Sequence, residues 1–397
     1  MGTTIATLKG DSMKATLASI LCAALLSATS LSAAADIDVL TQNQYIGADL
    51  APVVAAATAV PFNLNAFNAA VVEALSKVAA GRPTDRARAL AAEIAKRNPD
   101  VVGLQEAYKL ECTPFPGFPS GPGVGCDDPA IRDAFRDRLQ DTVTALLGDY
   151  VVAGKVTNLQ IPAIPFFING TQAVLAIADR DAILVRKGLP WANFVPPCVK
   201  SSDEGCNFVT TLPPLSTPLG TIAIERGFLA VDVTIKNRAY RVFNTHLEVR
   251  LPVPDQPATR LLQVGQAFEL AGIAVQTWDS SKTLIVIGDI NSDPSDTIPP
   301  NTPTPYQVFT SVYNFTDAWT MRTGSGDGLT CCQDEDLSNR RTGVYERIDM
   351  IFSLARPSKV LNMRLLGNKL GDKTRPPGTG GLWPSDHAAL AARLRFD

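Results

Sequence analysis

Asp289 and Asn291 stand two residues apart behind the apolar run Leu284 to Ile287 and the bend-permitting Gly288. One is an acceptor-only carboxylate and the other an amide, and both project to one side if strand geometry persists. Similar groups recur along the chain at the ends of apolar runs: Asn43, Glu106, His246, Asp349, Asp386 and His387. The chain has only 2 histidines, and both adjoin such groups. Histidine shuttles protons near neutral pH, and a neighbouring carboxylate fixes its tautomer. Oxygen-rich ligands suit Mg²⁺, with Mn²⁺ or Ca²⁺ as alternatives, and no His-x-x-x-His spacing suggests zinc hydrolysis. A hard cation, a base and several donors around one pocket are the equipment for hydrolysing a phosphate ester. The plainer reading of Asp289, Asn291 and Asp293 is an Asx-type turn, and Asp293 is left outside the site on that ground.

These residues need strands that end together. Residues 36–45 read as a first strand closing on Asn43, and Asp100-Val-Val-Gly-Leu-Gln-Glu106 as a buried strand closing on a carboxylate. Phe228 to Lys236 and Ala239 to Leu247 form a hairpin signal around Lys236-Asn-Arg238. Lys282 to Asp293, Arg347 to Phe352 and Ala388 to Arg395 supply further strands, and Tyr150 to Leu184 a run of apolar strands broken by prolines. Between them, residues 48–81 predict one or two apolar helices, Thr84 onward a helix stopped by Pro99, and 131–147 another. Leu261, Val264, Phe268 and Ala271 mark an amphipathic helix.

The 397 residues are 46% hydrophobic with a net charge of −3, enough for a large core and without bulk attraction to nucleic acid. Residues 1–35 have the pattern of a secretory signal peptide, with 1–12 as an upstream start extension if Met13 is the true start. The remaining 36–397 carry no low-complexity divider and read as one domain. Export to an extracellular or periplasmic compartment makes disulfides plausible for the six later cysteines. Cys112 with Cys126 and Cys198 with Cys206 would each close a Pro- and Gly-containing loop, leaving Cys331 and Cys332 as a vicinal pair or as thiols.

Val-Gly-Leu-Gln-Glu106, Asn244-Thr-His246, Gly288-Asp289-Ile-Asn291, Arg347-Ile-Asp349 and Ser385-Asp386-His387, after the strand bearing Asn43, resemble the ordered motifs of the endonuclease/exonuclease/phosphatase superfamily. The resemblance implies an α/β (α+β) fold, a four-layer α-β-β-α sandwich like that of deoxyribonuclease I. It implies Glu106 as principal metal ligand with Asn43 and Asp386 in support, and His387 as the base oriented by Asp349. Asp289 would position water, Asn291 hold a phosphate oxygen, and His246 stabilise the transition state or assist the leaving group. Arg180 resembles an arginine that some members place before an inner strand to contact phosphate. The expected activity is a secreted, metal-dependent, nuclease-like phosphodiesterase acting by direct water attack on nucleic acid. A sphingomyelinase- or phospholipase-like lipid phosphodiesterase is the alternative, a sugar or inositol phosphate phosphatase the next, and a non-catalytic binding protein the last. Neither a stable protein partner nor a transmembrane segment in the mature chain is expected. Two apolar stretches, 48–82 and 161–168, exceed what a compact nuclease needs; they fit core packing, or otherwise a lipid-like substrate.

Overall fold

A computed structural model describes residues 1–2, 35–249, 257–298, 302–324, 326–375 and 380–397. The expected signal segment lies outside the described residues. Residues 35–397 form one compact unit built on two eight-stranded sheets.

In the first sheet β1 (Ala35–Asn43) pairs in parallel with β2 (Val101–Gln105). Beyond β2 come the long hairpin strands β4 (Tyr150–Ile168) and β5 (Thr171–Arg186), with β3 (Lys109–Pro114) on the other edge of β5. The second sheet is centred on the hairpin β6 (Gly227–Ile235) and β7 (Arg238–His246). There β8 (Lys282–Asp289) runs parallel to β7 and β9 (Asp349–Ser353) antiparallel to β8. The last strand, β10 (Ala389–Phe396), returns to the first sheet antiparallel to β1. Parallel strands therefore end, and antiparallel strands begin, on one rim.

Alternation of apolar residues makes the two sheets stick face to face. Ile37, Val39, Val101, Ile183 and Val185 of one meet Leu229, Val231, Ile285, Ile287 and Ile351 of the other in a shared core. Outside the first sheet α3 (Pro83–Arg97) and α4 (Arg138–Ala145) bury Leu90, Ile94 and Leu139. Outside the second, α5 (Pro257–Gln276) buries Val264, Ala267, Leu270, Ala271 and Ala274. The sandwich has the four layers that the motif series implied.

The apolar stretch 48–81 does form two helices, α1 (Ala51–Thr58) and α2 (Leu64–Ala80). They pack with the outer half of the β4–β5 hairpin through Phe67, Val71, Leu75, Ile164, Phe166 and Ile168. Each apolar stretch thus gives one face to this core and leaves Val60, Leu64 and Phe167 exposed. The helix expected over 131–147 is shorter: a 3-10 turn at Arg132–Ala134 precedes α4. The chain is extended where Lys109 bridges Asp137, whose carboxylate then caps α4 by accepting from Gln140 N. On α5, Leu261 and Phe268 face outward at 51% and 37% exposure, because the buried stripe is turned from the expected one toward Ala267, Leu270 and Ala274 while keeping Val264 and Ala271. Cys112–Cys126 and Cys198–Cys206 are disulfides, and Cys331–Cys332 is a vicinal pair.

Asn244 crosses between the sheets. Its Nδ2 donates to the carbonyls of Leu104 and Ala182 at 3.1 Å each, and its Oδ1 accepts from Gln105 Nε2 at 2.6 Å. Gly103 makes room, since a Cβ there would lie 2.3 Å from Asn244 Oδ1. We expect Gly103→Ala to cost about 1–3 kcal/mol of stability, as overpacked cores do, measurable as a lower urea midpoint at unchanged m-value.

Candidate active site

Strand ends set the site. In the β7–β8–β9 ladder His246 stands opposite Asp289 and Asp289 opposite Asp349, while β1 and β2 bring Asn43 beside Gln105 and hence Glu106. Glu106 has φ 53 and Asn291 φ 49, left-handed values that turn each chain sharply at the end of its strand. Gly288 is needed because a Cβ there would lie 2.1 Å from Thr245 O, in a backbone with φ 145.

His387 Nδ1 lies 2.8 Å from Asp349 Oδ2. The carboxylate accepts, so the ring carries its hydrogen on Nδ1 and presents Nε2, which lies 3.8 Å from Asp289 Oδ2. Asn43 Nδ2 donates to that same Asp289 oxygen at 3.1 Å and to Glu106 Oε1 at 3.2 Å. His246 Nε2 is 3.6 Å from Asp289 Oδ2. Asn43, Glu106, His246, Asp289, Asp349 and His387 are thus brought together. Asn291 joins them through its backbone N–H, which donates to Asp289 Oδ1, while its Nδ2 donates to Leu247 O. Its side chain does not follow the strand side of Asp289: β8 ends at Asp289 and the left-handed turn intervenes.

Burial shapes the electrostatics. Burial first, then the Asp349 charge, pushes the Asp289 pKa up to about 7. For His387, burial opposes the charged ring, but Asp349, Asp386 and Asp289 outweigh it and hold the pKa well above the usual histidine value. Asp386 is raised to about 6 by burial, with Glu106 adding to the rise against His387.

Glu106 accepts from Asn43 and from Ile46 N, and Asp386 from Ser385 Oγ. Neither forms a salt bridge with a lysine or arginine among the described residues. Behind them Arg86 is fully buried and spends its donors on the carbonyls of Gly81, Gln44, Tyr45, Ile46 and Pro384. Burial lowers its pKa to about 10, with Asp386 opposing. Two partly buried carboxylates, the charge of Glu106 adding to the rise of Asp386, fit a hard divalent cation. Asp289, Asp349 and His387 also place their donor atoms within 4.8 Å of one another, a second group able to hold an ion.

Arg180 is not brought to this cluster. Strand alternation turns it away from Asp179 and Asp181, and it donates to Ala107 O at 3.1 Å and Asp137 Oδ1 at 2.6 Å. The inner face carries a network that sequence reading missed. Asp181 accepts from Asn158 at 2.9 Å, and Arg226 lies 3.7 Å from Asp179 and 3.1 Å from His246 Nδ1. Burial raises Asp179 to about 7, and burial with Asp179 raises Asp181 well above the ordinary value. The period-2 placement of Asp179 and Asp181 was the available signal; Arg226 had none beyond standing before a strand. Ser385 was also missed: its Oγ donates to Asn43 O at 2.7 Å and accepts from His387 N at 3.2 Å.

The sequence model of the Endonuclease/Exonuclease/phosphatase family matches residues 62–387. No curated protein matches in sequence. Solved structures of similar fold include the mannosyl-6-phosphatase of Bacteroides thetaiotaomicron, at 16% identity over 91% of this chain and 100% of that one, TM-score 0.49. An endonuclease/exonuclease/phosphatase family protein from Leptotrichia buccalis gives 14% identity over 91% and 100%, TM-score 0.48. Truncated TDP2 of Caenorhabditis elegans gives 16% over 90% and 97%, TM-score 0.46.

Because Asp349 holds the His387 pKa up, Asp349→Asn should lower it, so that the ring loses its charge at lower pH than in wild type. Following the ring resonances through a pH titration by NMR checks the direction.

Proposed function

The chain belongs to the endonuclease/exonuclease/phosphatase family and is a hydrolase of the phosphoesterase class, and from that premise we propose that it cleaves phosphodiesters by metal-dependent, direct attack of water. The observation that carries the reading is the His387–Asp349 pair at 2.8 Å, with the free Nε2 facing Asp289 at 3.8 Å. A water between Nε2 and Asp289 would be held for in-line attack. As its oxygen bonds to phosphorus, its proton passes to Nε2 of the neutral His387 ring, the form present above that ring's raised pKa, and Asp349 stabilises the resulting imidazolium through Nδ1. The bond to the leaving oxygen breaks on the far side, and that oxygen is protonated from solvent. His246 and Asn291 would meet the phosphoryl oxygens. Glu106 and Asp386, braced by Asn43, would hold a divalent cation, Mg²⁺ in the first instance, which when bound supplies charge to the phosphoryl oxygens and relieves the repulsion between the two carboxylates. Arg180 has no part in this reading.

Nucleic acid is the first substrate reading, from the motif resemblance. A lipid phosphodiester is the second, and a specific observation favours it. The hairpin β4–β5 runs past the rim where the site lies, and the segments packed around its outer half lack charge. Leu50 to Val72, Cys112 to Cys126 and Leu159 to Ala178 contain no Lys, Arg, Asp or Glu. Val60, Leu64, Phe118 and Phe167 are exposed there. The two disulfides support the reading of an exported protein, and among the described residues no helix is long and apolar enough to cross a membrane.

Purified protein with Mg²⁺ should consume plasmid DNA or, on the second reading, sphingomyelin vesicles, in preference to a soluble phosphomonoester. Loss of neither phosphodiester would overturn the proposal. His387→Ala should reduce turnover by about 10²–10⁴-fold, the usual contribution of a general base. Glu106→Gln should leave the fold intact by circular dichroism yet weaken Mg²⁺ binding in calorimetry. Chelation should abolish activity and added Mg²⁺ restore it.

A further inference from the structure

Gly227 stands opposite His246 in the β6–β7 ladder, so Arg226 lies one residue from the imidazole it faces. Its Nη1 is 3.1 Å from His246 Nδ1. A guanidinium offers donors only and keeps its charge throughout the working pH range. Nδ1 must therefore be the acceptor, and the ring hydrogen sits on Nε2. We propose that Arg226 is a positioning residue that locks His246 as the neutral Nε2–H tautomer, making it a fixed hydrogen-bond donor to the reacting phosphoryl group and not a proton donor to the leaving oxygen.

The two imidazoles of the site are then opposite in kind, and their partners decide which is which. Asp349 accepts at Nδ1 of His387, so that ring, when neutral, presents a bare Nε2 able to take a proton. Arg226 donates at Nδ1 of His246, so that ring presents an N–H able to stabilise negative charge. An imidazolium at His246 would bring a second positive N–H against the guanidinium. The groups around the ring act in the same sense. Asp289 Oδ2, 3.6 Å from Nε2, receives the N–H side. Glu248 Oε1 at 3.4 Å and Asp179 Oδ2 at 3.7 Å pin the guanidinium and keep it charged, with Glu106 adding to that field.

The catalytic consequence rests on the phosphodiesterase reading; the tautomer does not. With only 2 histidines, long-range ¹⁵N–¹H correlation spectra of the full chain resolve both rings, and His387→Gln assigns them. Wild type should show His246 with Nδ1 bare and Nε2 protonated. Arg226→Met should bring the Nδ1–H tautomer of His246 into the spectrum and lower kcat by about 10²-fold, the scale of one lost transition-state donor, with KM little changed. Arg226→Lys keeps a charged donor and should restore the wild-type spectrum. A wild-type His246 protonated at Nδ1, or an Arg226→Met spectrum identical to wild type, overturns the assignment. Should Arg226→Met fail to fold, the wild-type and Arg226→Lys spectra decide alone. If the tautomer is as assigned while neither DNA nor sphingomyelin is cleaved, the phosphodiesterase reading fails and the Arg226 assignment stands.

Discussion

Half of the polar cluster hangs from each sheet, so everything at the rim depends on how the two sheets are fixed against one another. Asn43, Glu106 and His387 come from the first sheet; His246, Asp289 and Asp349 come from the second. Apolar contacts hold the layers together, but non-directional contacts tolerate sliding. Asn244 does not. Its three hydrogen bonds to Leu104, Ala182 and Gln105 satisfy a fully buried amide only in one alignment. The absence of a side chain at Gly103 is what lets the amide reach.

Given that alignment, the electrostatics follow from crowding. Carboxylates at the ends of adjacent strands cannot all ionise while buried, so protons and hydrogen bonds are shared among them. Asn43 stands between Glu106 and Asp289 and donates to both. Arg86 lies beneath, fully buried, and engages backbone carbonyls in place of a carboxylate. It therefore fixes the path of residues 44–46 and contributes positive potential without neutralising Glu106 or Asp386 directly. A carboxylate partner would have consumed that potential.

Much of this was legible in the sequence. The rim residues announced themselves because apolar strands ended repeatedly in Asn, Asp, Glu or His, and the order of the motifs carried the family. The hairpin at Lys236-Asn-Arg238 and the helices at 51–80 followed from local pattern. What stayed hidden depended on long-range geometry. Arg180 looked like a site residue by its position before an inner strand, yet the pleat sends it to the outer face and its two aspartate neighbours inward. Arg226 has no local signature, because its partner is set by cross-strand register. The orientation of Asn291 depended on a single left-handed residue. Leu261 and Phe268 scored as core by period, but the buried stripe of α5 is turned toward Ala267, Leu270 and Ala274.

The return of β10 to the first sheet has a consequence in time. His387 follows every other residue of the cluster in sequence, and β10, just beyond it, supplies the neighbour that β1 needs on its open edge. A growing chain can assemble the second sheet and the helices flanking it while the His387 imidazole is still unmade. The cluster is completed only when residues 389–396 dock beside residues 35–41.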